Sequence, residues 1–449
     1  MNKIIASVGL VALGAANIQA QTPLTGPTTK WWNVQATVRG FYDDNPNTAP
    51  SHQRAANLDP NVIRIPKGGT SGFELNPKVG VTFGNDQTTF SADYQYSFLY
   101  YDRKPFGNTE HFDQDHTFNA ALSHAFSERY SIRAREAFVI GQEPDALRYD
   151  AAFHTPFRVS GNNIVNYGGL LFNAELTPEM GLEAGYDYAW FDYRDKLNKN
   201  PGKNVDGAGT VISPSRSGLL DRIEQYPHIA LTWREMRDTT LSLGYRFGQI
   251  NYTGDEVISG NINDKPDSFV SSDRDVRSHT VYVGVDHQFR PDFYGSVQGG
   301  VSYYDYYNLD TTSWGPYARL SLTYVYMPES TLQAGFQEGR SATDVFGGGT
   351  TKAELTRDSE ASVVFATLRH RIVPHLFANL NGSYQHSTFH GGTVDNQNED
   401  FCEFGANLEY QFNPFISVHG GYDFDHLDSD LDDRSYTRNK FYIGATARY

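Results

Sequence analysis

From Trp32 to the last residue, Tyr449, apolar and polar positions alternate in blocks of roughly ten residues, the length of a membrane-crossing strand. In the first block Trp32, Val34, Ala36, Val38 and Tyr42 share one face, and Asn33, Gln35, Thr37 and Arg39 share the other. Farther on, Phe73, Leu75, Val79, Val81 and Phe83 alternate with Glu74, Asn76, Lys78 and Thr82. A tight Gly84-Asn85-Asp86 turn leads into Phe90, Ala92, Tyr94, Tyr96 and Phe98, set against Ser91, Asp93, Gln95 and Ser97. The final block has Phe441, Ile443, Ala445, Ala447 and Tyr449 on its apolar face. A period of two bounded by turn residues predicts strands. The spacing predicts about 18 of them: 31–42, 73–83, 88–101, 115–126, 130–141, 164–176, 181–193, 222–233, 238–250, 276–289, 293–305, 314–326, 331–339, 360–370, 376–388, 402–412, 416–425 and 436–449. The segment 360–370 has the least defined facing, because Val363, Val364 and Phe365 are consecutive.

The connections alternate as strictly as the strands. Short ones fall around Asn85, Glu128, Pro178, Glu235, Pro291, Pro328, Pro374 and Pro414. Between them lie longer ones at about 43–72, 102–114, 142–163, 194–221, 251–275, 306–313, 340–359, 389–401 and 426–435. A soluble sandwich has no reason to sort its loops by length. An outer-membrane barrel does, with short periplasmic turns at one rim and long extracellular loops at the other. The predicted fold is therefore all-β: a transmembrane antiparallel up-and-down barrel over 31–449, with strand–turn–strand hairpins as its repeating unit.

The amino terminus adds a secretory signal over 1–20. Lys3 supplies the charge, Ile4 to Ala16 an apolar run too short to span a bilayer, and Ile18-Gln19-Ala20 a cleavage site after Ala20. Residues 21–30 are then a short periplasmic lead-in. The chain carries a formal charge of −16, which argues against a nucleic-acid partner. Its single cysteine, Cys402, excludes an internal disulfide. Aromatics reach 14% while hydrophobic residues total only 39%, the balance of a wall facing lipid outside and water inside.

On that barrel, Trp32, Phe83, Phe90, Phe126, Tyr130, Trp233, Phe289, Phe293, Tyr326, Phe412 and Tyr449 gather near the short-turn rim of the lipid face. Tyr100, Trp190, Phe247, Tyr303, Trp314 and Tyr422 gather near the other rim. These are the two aromatic belts of a bilayer-spanning protein. Inward positions carry both charge signs; the candidate pore-lining residues are Arg39, Lys78, Asp93, Arg133, Arg135, Glu183, Asp187, Arg246 and Arg319. A barrel this wide encloses an aqueous channel that wall charges bias, unless they only pair within the wall. The connection 141–163 is either an ordinary exposed loop or one that folds inward and narrows the pore, presenting Glu143, Asp145 and Asp150 to the basic wall residues Arg39, Arg133 and Arg135. One position breaks the alternation: Glu136 falls on the lipid face near mid-strand, which calls for a β-bulge or for burial against another subunit of a homo-oligomer.

The lead strand ending Gly40-Phe41-Tyr42-Asp43-Asp44-Asn45, the stretch Arg135-Glu136-Ala137-Phe138-Val139-Ile140-Gly141-Gln142-Glu143-Pro144 and the Pro-turn hairpins resemble the β-barrel porin family of the bacterial outer membrane. The resemblance implies an outer-membrane barrel of pore function and brings no established substrate. The implied function is passive diffusion of small hydrophilic solutes, without a cofactor. Its partners are the outer-membrane bilayer, the barrel assembly machinery and those solutes. An exopolysaccharide conduit is the second reading, and a barrel enzyme at the outer rim the third. For the third, the best candidate is the acidic run Asp423–Asp433 in the last loop, with Asp425 and His426. Its carboxylates could bind a divalent cation, but it lacks the Gly turn and terminal Glu of a calcium loop and reads first as a solvated acidic loop. Deleting Phe441 to Tyr449 removes the closing strand. The expected outcome is protein that reaches the periplasm and is degraded; heat-modifiable barrel in the outer membrane after that deletion contradicts it.

Overall fold

The computed structural model describes residues 30–53, 64–103, 110–141, 163–194, 205, 208–211, 214–264, 268–347 and 355–449. The signal segment, all of the lead-in except Lys30, and Glu143, Asp145 and Asp150 lie outside them. Eighteen strands form one antiparallel sheet that closes on itself. The first nine are β1 (Trp32–Asp43), β2 (Thr70–Gly84), β3 (Thr88–Tyr101), β4 (Phe112–Ala125), β5 (Tyr130–Gly141), β6 (Asn163–Glu175), β7 (Met180–Tyr193), β8 (Arg222–Met236) and β9 (Thr239–Tyr252). A separate hairpin, β10 (Val257–Ser259) with β11 (Phe269–Val270), interrupts the series. The wall resumes with β12 (Val276–Arg290), β13 (Phe293–Tyr306), β14 (Thr311–Met327), β15 (Ser330–Ser341) and β16 (Asp358–Val373). It ends with β17 (Leu376–His390), β18 (Asn398–Asn413), β19 (Ile416–Ser429) and β20 (Tyr436–Arg448). Each wall strand pairs with the next, and β20 pairs with β1 to close the barrel.

Alternation produces the two surfaces. Val34, Val38, Val79, Leu243, Val283, Leu408 and Ile443 are exposed on the outside, where lipid would cover them. In β16 the ambiguous triplet resolves: Val364 faces out, while Val363 and Phe365 are buried inward. Phe365 occupies the space that a side chain at Gly335 would need. The lower belt includes stacked Phe289 and Phe293, 4.7 Å apart, and Trp32 beside Tyr449 at 5.7 Å, with the Lys30 ammonium 3.5 Å from the Tyr449 ring. Tyr303 with Trp314, at 5.0 Å, belongs to the upper belt. Histidines join both belts by bonding hydroxyls. His124 meets Thr88, His287 meets Thr239 and His370 meets Tyr326 below, and His116 meets Tyr94 and His279 meets Tyr245 above, all at 2.8 Å.

The strands run farther than apolar alternation predicts, mostly toward the long-loop rim. The connection expected at 306–313 is only the turn 307–310, and those expected at 389–401 and 426–435 shrink to 391–397 and 430–435. Above the lipid the outer face turns polar, as at Asn398 and Asp400, so the hydrophobic signal stops while the backbone ladder continues. The short turn expected around Glu235 lies two residues on, at Arg237-Asp238, because β8 carries a register shift between Arg234 and Met236.

Similar shifts precede the turns at Pro291, Pro328, Pro374 and Pro414, where the ladder gains a residue just before the chain reverses. In two of these turns the residue after Pro is left-handed: Glu329 at φ 59° and His375 at φ 72°. That conformation costs a residue with a Cβ roughly 1 kcal/mol, and glycine avoids the cost. His375→Gly should therefore stabilise the barrel by about 0.5–1 kcal/mol in urea unfolding.

Candidate functional site

The inner face is where the chain places its charges. Arg39, Lys78, Asp93, Arg133, Arg135, Glu183, Asp187, Arg246 and Arg319 all fall on the inward side of the alternation. Cross-strand register sorts them into two groups. In the first, Arg39 Nη1 lies 3.6 Å from Glu74, Lys78 Nζ 3.0 Å from Asp93, and Arg135 Nη2 3.1 Å from Asp187. Arg39 Nε also donates to His419 at 2.8 Å, and Asn119 donates to Asp93 at 3.1 Å. The first two pairs tie neighbouring strands, Arg135–Asp187 reaches from β5 across β6 to β7, and the paired charges largely cancel one another.

In the second group, Arg133, Glu183, Arg246 and Arg319 make no ion pair among the described residues. Arg246 rests on the Tyr226 ring at 4.1 Å and Arg319 beside Tyr317 at 5.4 Å. A guanidinium held by a ring keeps its charge and its donors available to solutes. Of the named candidates, three arginines, on β5, β9 and β14, and one carboxylate, on β7, thus lack an ion-pair partner among the described residues, and Arg133 and Glu183 act on each other at longer range.

The seam where the chain ends meet holds an ion cluster that the sequence reading missed. Arg438 reaches Asp43 at 2.8 Å and Asp425 at 3.2 Å. In the loop above, Arg434 binds Asp344 at 3.3 Å and also bonds Glu399. Burial opposes the Arg434 charge, but the Asp344 and Glu399 carboxylates hold its pKa above the ordinary arginine value. Barrel closure made the Asp43–Arg438 proximity inferable, since β1 must lie beside β20. Nothing local to the sequence marks the Asp344–Arg434 contact.

At the long-loop rim, described loop segments pack against the inside of the wall; the connection 142–162 lies outside the described residues. The described parts of the connections after β7 and β9 bring Leu219, Leu220 and Ile258 against the wall residues Val165, Phe191, Tyr193, Val276 and Tyr306, with Leu309 and Leu355. A one-turn helix, Arg216–Leu220, supplies the two leucines; Ser215 caps it by accepting from Gly218 N at 2.8 Å. Arg274 is fully buried and donates to the carbonyls of Gly218 and Leu219, stacking on Tyr252 at 4.2 Å. Asp275 beside it accepts from Tyr252 N at 2.7 Å, Asn251 at 3.1 Å and the Tyr307 hydroxyl at 3.2 Å. Burial raises the Asp275 pKa against the pull of those donors. Asp221 accepts from Tyr193 N at 2.6 Å and fastens the helix end to β7. The apolar contacts exclude water, and the buried ionic groups satisfy the loop backbone that would otherwise lie unpaired.

The enzyme candidates separate. Asp425 points inward to Arg438, while its neighbour His426 points outward to Thr437 at 3.0 Å, so they cannot act on one substrate atom. Among the described residues no group of three or more His, Cys, Asp or Glu side chains could hold a metal ion.

Residues 343–449 match the model of the family described as "Putative beta-barrel porin 2". No curated protein matches the chain. Among solved structures, Acinetobacter baumannii OccAB2 is 10% identical over 93% of this chain and 98% of its own, with a TM-score of 0.41. The Pseudomonas aeruginosa outer membrane protein opdK is 12% identical over 93% and 99%, with a TM-score of 0.41. The siderophore receptor PirA from the same organism is 9% identical over 93% and 80%, at 0.37. At such identities no single side chain carries over.

Replacing Arg274 with Met leaves the Gly218 and Leu219 carbonyls buried without their donor. The expected loss is about 2–3 kcal/mol in urea unfolding, accompanied by a higher single-channel conductance as the mouth loosens.

Proposed function

We propose that this porin-type outer-membrane barrel is a passive channel for small hydrophilic solutes. The observation that carries the reading is the contrast between its two faces: an apolar outer band between aromatic belts, and an inner wall of amides, hydroxyls and charges of both signs. An 18-strand barrel is too wide for those side chains to fill, so water occupies what remains. The apolar cluster at the mouth sets the size limit, and Arg246 and Arg319 lead the charge preference, because the paired wall charges cancel and Arg133 is offset by the nearby Glu183. Solutes pass down their own gradient, without a cofactor.

A planar-bilayer recording on purified protein tests the reading, and failure to form channels overturns it. Given conductance, Arg246→Gln and Arg319→Gln should each shift the permeability ratio toward cations by roughly two-fold, the effect of a few tenths of a kcal/mol on a screened charge. The double neutralisation Lys78→Gln with Asp93→Asn should leave the ratio near the parent value.

A further inference from the structure

Glu136 stays on the lipid face. The β4–β5 and β5–β6 registers run without a shift, Ala120↔Glu136 and Glu136↔Gly168, so a bulge does not turn it inward. It lies six residues above Tyr130, the first residue of β5 and a member of the lower belt. At about 3.3 Å per residue on a strand tilted about 40°, that is roughly 15 Å into an apolar band about 25 Å tall. Its carboxylate leans over Gly168 and accepts from Asn166. One donor leaves the other carboxylate valences to face hydrocarbon, an arrangement that lipid alone does not satisfy.

The surroundings have the shape of an interface. The outward row through Glu136 reads Ala92–Ala120–Glu136–Gly168 across β3 to β6, with no other side chain larger than a methyl group. Leu122 and Leu170 wall this trough on one side and Phe118 on the other. Elsewhere the outer wall carries large side chains at these depths, such as Val283, Val364 and Leu408. The row continues to Tyr188, whose hydroxyl makes no hydrogen bond among the described residues. Acceptor and donor thus lie on one strip, which makes the strip complementary to itself, the requirement of an isologous contact. Small residues let two walls approach closely, and the polar groups then find partners that lipid cannot offer.

We infer that the β3–β7 face is the contact between two copies of this chain in the membrane, with Glu136 paired across it. The inference rests on the barrel and not on the channel reading.

The test uses full-length protein with Cys402→Ser, which removes the native thiol. Ala120→Cys in membranes should form a disulfide-linked dimer under mild oxidation, whereas Val364→Cys on the opposite wall should not. Glu136→Leu should raise the fraction of single-chain mass in mild detergent while leaving heat-modifiable barrel and single-channel conductance at parent values. A parent protein of single-chain mass, with no cross-link at Ala120→Cys, overturns the proposal. So does a Glu136→Leu variant that assembles like the parent. Loss of conductance in the parent would sink the channel reading without touching this one.

Discussion

A sheet placed in hydrocarbon cannot keep an edge, because every unpaired N–H and C=O there costs several kcal/mol. This chain meets the constraint by pairing its first strand with its last, from Gln35↔Arg448 to Asp43↔Lys440. The seam is also reinforced by side chains. Thr37 bonds Thr446 at 2.9 Å, Arg39 reaches across β20 to His419, and Arg438 joins Asp43 on β1 to Asp425 on β19. Residues nearly four hundred positions apart are thereby held in one ladder.

Closure at eighteen strands removes the ordinary means of stability. The interior is too wide for a packed core along its length, so the wall relies on its backbone ladder and on cross-strand pairs such as Lys78–Asp93. Its largest buried apolar cluster sits at the mouth, built by inward loops against the upper wall. There the arrangement of a soluble protein returns: leucines in the centre, a capped helical turn, and buried ions each held by several partners. That cluster fastens the loops to the wall without a disulfide, since the chain has one cysteine.

Much of this was legible from residue order. A period of two is a local signal, and it located all eighteen strands, with Arg39, Lys78 and Arg246 on the inward side of the alternation. The errors are equally instructive. Strand ends such as Asn398–Glu399 were missed because the lipid that enforces alternation stops before the ladder does. Glu136, flagged as a violation of the pattern, remained one: no bulge corrects it.

Alternation and turn chemistry by themselves determined the fold class, the strand count, the sorting of short and long connections and the two faces of the wall, because each depends only on near neighbours. They also identified Arg39, Lys78 and Arg246 as inward without distinguishing them. Only the tertiary structure decided that Arg39 and Lys78 are neutralised by carboxylates on the adjoining strand while Arg246 lies on a tyrosine ring without an ion pair among the described residues. It also decided that Leu219, Leu220 and Ile258 leave their loops to meet Phe191 and Tyr306. Those outcomes depend on which strands adjoin and how far a loop folds back, and a pairing between distant segments leaves no periodic mark on either one.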